Sequence, residues 1–203
     1  LVMKMVGYGE DVVRYYMLED VHAHVWIGHH RYPTKGRVWH PGGAHPFIGM
    51  NEALVHNGDF ANYASIGEYL AQRNIYPLFL TDTEVSVQVF DLLYRTYDYP
   101  LEYVIEALAP TTERDFAMLP PDKQRIYNML QVTHMHSSPD GPWFFLIAQS
   151  DRKSGSPVFR LTVRRRTWPA HGAGGAGGLR CSPRDQYRWS RRHGGTACWR
   201  ATA

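Results

Sequence analysis

The amino-acid sequence predicts an α+β domain built in layers. Three observations predict it. Short apolar runs of strand length open the chain, at 24–27 and 53–55. A central stretch from Ser65 to Gln131 carries helical spacing and two Ser/Thr-x-x-Glu starts. Strand-like runs return at Trp143–Ala148 and from Val158. Strands, then helices, then strands is not the alternation that winds a parallel sheet, so an α+β arrangement is favoured over α/β.

Taken in order, Glu10–Leu18 is expected as a short helix, with Val12, Val13, Tyr16 and Met17 on one side. His24–Ile27 is a strand candidate that runs into Gly28-His29-His30-Arg31, and Pro41-Gly42-Gly43 is a turn. Ala53–Val55 is a second strand, stopped by Asn57-Gly58, since Asn-Gly is a strong turn signal. Ser65-Ile66-Gly67-Glu68 has the form of a capping box and opens an amphipathic run to about Arg73. Thr81-Asp82-Thr83-Glu84 has the same form. Behind it, Val85–Tyr97 alternates at first like a strand, but its length and its cap favour a helix. Leu101–Leu108 and Pro120–Gln131 read as helices, and Trp143–Ala148 as a buried strand.

The 203 residues suit one domain with a tail. The net charge of +3 conceals two regions. Residues 1–160 carry 13 Lys and Arg against 18 Asp and Glu, a net of −5. Residues 161–203 carry 9 Arg and one Asp, a net of +8, together with 7 of the 18 glycines and both cysteines, Cys181 and Cys198. This tail has no sustained apolar period, so it is expected to be disordered or frame-shifted and is set aside. An Arg-rich tail can bind phosphates, but here Arg is mixed with Trp and a Gly/Ala run without any repeat, and no nucleic-acid partner is expected. Two cysteines exclude a disulfide framework and a four-cysteine zinc site. No run approaches eighteen apolar residues, and no secretory signal is expected, which together suggest a cytoplasmic chain without a membrane partner.

Three polar clusters stand at expected strand ends and turns. The first is Gly28-His29-His30-Arg31-Tyr32-Pro33-Thr34. The second is Ala44-His45-Pro46-Phe47, followed by Val55-His56-Asn57-Gly58-Asp59. The third is Thr81-Asp82-Thr83-Glu84. Each alone has a plain structural explanation: a turn, a surface charge, a cap. In this order they resemble the class II glutamine amidotransferases, which are N-terminal-nucleophile hydrolases. Leu18-Glu19-Asp20, Gly42-Gly43-Ala44-His45-Pro46-Phe47 and Val89-Phe90-Asp91-Leu92-Leu93 look most like the amidotransferase domain of glutamate-synthase-type proteins. The resemblance covers roughly residues 1–160.

The resemblance implies a four-layer αββα sandwich and removal of ammonia from the glutamine side chain. That acyl transfer needs a nucleophile, an oxyanion hole and a grip on the amino-acid end of the substrate. By resemblance, Arg31 grips the α-carboxylate, a task for which a planar guanidinium is suited. Asp82 pairs with the α-ammonium. The Asn57 side-chain amide and the Gly58 backbone N–H form the oxyanion hole. Thr34 and His45 line the glutamine pocket. For His45 and His56, a hydrogen-bonded structural role is an equal alternative. The family's nucleophile is a cysteine at the mature N-terminus, whereas residues 1–180 hold no cysteine. The chain is therefore expected to be an internal piece of such a domain, with the sandwich incomplete and the nucleophile lacking. No cofactor is implied in this domain. The implied partner is the synthase domain or subunit that accepts ammonia.

Two other readings compete. The pairs His22/His24, His29/His30 and His134/His136 invite a metal, but no closed three- or four-ligand spacing supports one, and none is expected. A non-catalytic module that binds glutamine, glutamate or a partner protein is the second.

Overall fold

In the computed structural model, residues 1–23, 25–30, 40–151 and 158–166 are described. The chain is mixed α and β. Four antiparallel strands form one sheet in sequence order: β1 (Phe47–Ile48), β2 (Glu52–Gly58), β3 (Trp143–Asp151) and β4 (Val158–Arg166). Among the described residues, six α-helices accompany it: α1 (Gly9–Tyr15), α2 (Tyr63–Ala71), α3 (Asp82–Asp91), α4 (Leu101–Leu108), α5 (Glu113–Ala117) and α6 (Pro121–Thr133). Among the described residues, none is long and apolar enough to cross a membrane.

The β2–β3 register decides what faces the helices. Glu52, Leu54, His56 and Gly58 stand opposite Gln149, Ile147, Phe145 and Trp143. Side chains alternate along a strand, so these eight residues share one face. Leu54, Phe145, Ile147 and Trp143 are buried there with Val85, Val89 and Phe90 of α3, Ile66 and Leu70 of α2, and Val104 and Leu108 of α4. Phe60 closes the core beside Trp143 and Phe145. The other face of β3, formed by Phe144, Leu146, Ala148 and Ser150, is half-buried.

Helix α3 begins as its sequence predicts. The Thr81 hydroxyl accepts from the Glu84 N–H at 3.1 Å, as an N-cap should. The reciprocal bond of a capping box is replaced. The Glu84 carboxylate instead accepts from Leu78 N–H and Phe79 N–H, both at 2.7 Å, and folds the preceding loop back against the helix start. A single π-helical stretch, Leu92–Thr96, extends α3. Thus the ambiguous run from Val85 is helical.

Four local expectations differ from the structure. Val25–Ile27 form no strand, since no strand among the described residues pairs with them, and Trp26 remains 42% exposed. Asn57-Gly58 is no hairpin turn. Both residues are paired within β2, to Phe144 and Trp143, and the strand ends only after Gly58. Ser65 is not a cap, since α2 starts earlier, after Asn62. The Asn62 side chain turns away from the helix instead, donating to Ser138 C=O at 2.8 Å and accepting from Asp140 N–H at 2.9 Å. At the other edge, β4 continues to Arg166, six residues into the stretch set aside on composition.

His134, at the end of α6, sits buried between two tyrosines. Tyr69 Oη lies 2.9 Å from its Nδ1 and Tyr99 Oη 3.1 Å from its Nε2. Burial, with the nearby Arg73 guanidinium, holds its pKa below the ordinary 6.5. The folded state therefore resists protonation that the unfolded chain accepts. Stability is complete above pH 6.5 and falls as the pH drops through the folded-state value, by at most about 1.4 kcal/mol per pH unit for one group. Urea titrations between pH 7.5 and 5 are expected to show this loss, and His134→Gln should flatten it. A variant with an unchanged slope would remove His134 as its source.

Candidate functional site

The N-terminus of α3, the end of β2 and the loop before β1 meet at one buried polar node. Thr81, Asp82 and Thr83 occupy the cap and first turn of α3, all at most 3% exposed. Asp82 Oδ1 accepts from Thr83 N–H at 2.8 Å, and Thr83 Oγ1 stands 3.4 Å from the same oxygen. The first turn of a helix favours a carboxylate, through both its free N–H groups and its dipole.

His45 reaches this turn from the loop preceding β1. Its Nε2 lies 2.5 Å from Thr83 Oγ1, although 38 residues separate the two in the chain. Its Nδ1 lies 2.8 Å from His29 Nδ1, with the two rings nearly perpendicular at 85°. His56 arrives from β2, bedded against Phe60 and Phe145. Its Nδ1 is 3.5 Å from Thr83 Oγ1 and 3.6 Å from Asp82 Oδ2, while its Nε2 is buried without a partner among the described residues. His29, His30 and His45, with Trp26, Pro46 and Glu52, help line a cavity of about 760 Å³.

The residues singled out in the sequence are thus placed unevenly. His45 and Asp82 are brought together, with Thr83 as the joint. Asn57 and Gly58 are exposed at the end of β2, one residue beyond His56. Alternation along the strand sends the Asn57 side chain to the face opposite His56. Neither Asn57 nor Asp82 lines the cavity at His45. Arg31 and Thr34 lie outside the described residues. Among the described residues, no group of three or more His, Cys, Asp or Glu side chains is placed to hold a metal ion. Thr83 and His29 each fall inside a quoted motif, and the motif alone gives neither a role.

Two ionisable groups on neighbouring elements are shifted by burial. Lys4 Nζ lies 3.9 Å above the Phe47 ring and donates to Gly42 C=O at 2.9 Å. Burial lowers its pKa to about 8. On the same sheet face as His56, burial and the neighbouring Asp91 carboxylate push the Glu52 carboxyl up to about 7.

No family model matches the chain. A protein of Archaeoglobus fulgidus described only as uncharacterized is 34% identical over 169 residues, which is 83% of this chain and 43% of that protein. The glutamine–fructose-6-phosphate aminotransferase (isomerizing) of Chlamydia muridarum is 42% identical over 78 residues, 37% of this chain and 13% of the enzyme. Its namesake in Campylobacter jejuni is 39% identical over 69 residues, 34% of this chain and 11% of the enzyme. The chain therefore spans less than half the length of each of these relatives.

Proposed function

We propose that this chain is part of a class II glutamine amidotransferase domain and that the node at the start of α3 is the ammonium end of its glutamine site. The observation that carries the reading is the His45–Thr83–Asp82 contact. It joins the Ala-His-Pro-Phe block to the Thr-Asp-Thr-Glu block, two segments that share no local reason to meet. The partial similarity to enzymes named for glutamine supports the same reading. Those relatives are aminotransferases of fructose 6-phosphate by name, so they lend nothing to the glutamate-synthase-like parentage expected from the sequence.

In this reading Asp82 accepts the substrate α-ammonium. Because the carboxylate is 3% exposed, an ammonium brought to it shares a low-dielectric setting, where a charge-assisted hydrogen bond gains strength. Arg31 holds the α-carboxylate, and Thr34 and His45 line the pocket. The Asn57 amide and Gly58 N–H stabilise the oxyanion formed as the side-chain amide is attacked. Residues 1–180 contain no thiol, so the attacking cysteine is not one of them. The sheet and its helical cover would be one half of the αββα sandwich. The released ammonia would pass to a further domain or subunit.

Binding tests the reading without the nucleophile. Calorimetry of the chain with L-glutamine should give saturable heat with a dissociation constant in the millimolar range or tighter, the range of ordinary substrate affinities. D-glutamine, which presents its ammonium in the wrong direction, should give none. Absence of L-glutamine binding to folded chain overturns the proposal.

A further inference from the structure

The contacts at the node have a direction. A carboxylate accepts hydrogen bonds and cannot donate them. Asp82 Oδ1 is approached by Thr83 Oγ1, so the Thr83 proton is drawn to Asp82. The Thr83 oxygen is then left as an acceptor, and His45 Nε2, at 2.5 Å, must bring the proton of that contact. A neutral imidazole that carries its proton on Nε2 has a bare Nδ1. The 2.8 Å contact between His45 Nδ1 and His29 Nδ1 then requires the proton to sit on His29. His56 fits the same polarity. Its Nδ1, nearest to Thr83 Oγ1 and Asp82 Oδ2, is the donor, and its unpartnered buried Nε2 is the bare nitrogen.

We propose that His29 is a positioning residue, held by a one-way chain of donors, His29 to His45 to Thr83 to Asp82. The chain fixes His45 as the Nε2–H tautomer and both His29 and His56 as Nδ1–H tautomers. Its consequence lies in the connectivity. His29 belongs to the irregular segment 25–30, where no strand pairing fixes the backbone, and it stands two residues before Arg31. The bond to His45 ties that segment to the α3 start and orients the His45 ring, which is assigned to the pocket. The effect on affinity rests on the glutamine reading, whereas the tautomers do not. Orientation of one histidine by the hydrogen bond made at its other nitrogen is a general device for fixing tautomers.

Long-range proton–nitrogen correlation of the imidazoles in the ¹⁵N-labelled full chain tests the assignment. His45 should show the Nε2–H pattern, with His29 and His56 showing Nδ1–H. Thr83→Val removes the acceptor and should leave His45 in a mixture of tautomers, while Thr83→Ser should restore the single form. In calorimetry, His29→Ala should weaken L-glutamine binding roughly two- to tenfold, the worth of one hydrogen bond. His29→Asn, which keeps a donor, should recover most of it. An Nδ1–H tautomer at His45 in the unmodified chain overturns the proposal, even if the variants fail to fold. Equal affinity in the folded His29→Ala chain removes the positioning role. The assigned tautomers in a chain that binds no glutamine would uphold the donor chain and sink the glutamine reading alone.

Discussion

Gly58→Ala is expected to lower the stability of the fold by about 2–5 kcal/mol, roughly 5–15 °C in Tm for a chain of this size. Gly58 holds φ at +140°, where L side chains are rarely found. A Cβ there would lie 2.2 Å from Pro142 C=O and 2.7 Å from Trp143 Cα, both backbone atoms that no rotamer change can move aside. Relief requires separating β2 from β3 at the point where Trp143 stacks on Phe145. The adjoining connections depend on the same approach, since Asp59 N–H donates to Pro142 C=O and Ala61 N–H to Asp140 C=O. Thermal unfolding followed by circular dichroism measures the effect. A Tm within a degree of the parent would mean that the strand end yields freely, and that Gly58 is required by something other than packing.

That residue also shows how the sequence can carry the right element for the wrong reason. Asn-Gly is a strong turn signal, since both residues tolerate positive φ. The φ is positive, yet the requirement comes from close cross-strand approach to Trp143, a partner 85 residues away that local patterning cannot reveal. Ser65 illustrates the same gap. Its Ser-x-x-Glu spacing fits a cap, but Asn62 is positioned by Ser138 and Asp140 across the fold, and the helix starts there. Where the determinants are local, the reading holds. Thr81 caps α3, and α4 runs from Leu101 to Leu108, bounded by a proline ahead of it and an apolar face within. Val25–Ile27 have the composition of a strand, yet no strand among the described residues joins them, because pairing is a property of two segments and not of one.

The polar node was legible to a similar degree. His45 and Asp82 were identified from separate motifs, and they meet. Thr83, which joins them, is a common residue at the second position of a helix and carries no distinguishing signal of its own. Its role emerges only when a histidine from another segment stands 2.5 Å away. His29 was quoted as part of a motif around Arg31, and its contact with His45 could not be read from spacing. The two nitrogens that meet there belong to residues 16 apart on irregular backbone.

Asp82→Asn is expected to weaken L-glutamine binding by roughly ten- to a hundredfold, the worth of a charge-assisted hydrogen bond. The substitution is nearly isosteric, and an asparagine Oδ1 can still accept from Thr83 N–H, so the start of α3 should persist and the loss should fall on affinity. A glutamine analogue without the α-amine separates the two effects. It offers Asp82 no cation, so it should bind the parent and the variant alike, and the coupling between amine and carboxylate appears as the difference between the two ligands. Asn57→Ala provides the contrast. Asn57 is exposed, so its loss should cost the fold little. Its amide is assigned to an oxyanion that exists only during reaction, and interactions made only in the transition state leave ground-state binding unchanged. Calorimetry of the two variants with the two ligands is therefore expected to give one large loss, for Asp82→Asn with the amine-bearing ligand. If Asp82→Asn binds both ligands as the parent does, the carboxylate at the start of α3 is structural only and the ammonium site lies elsewhere.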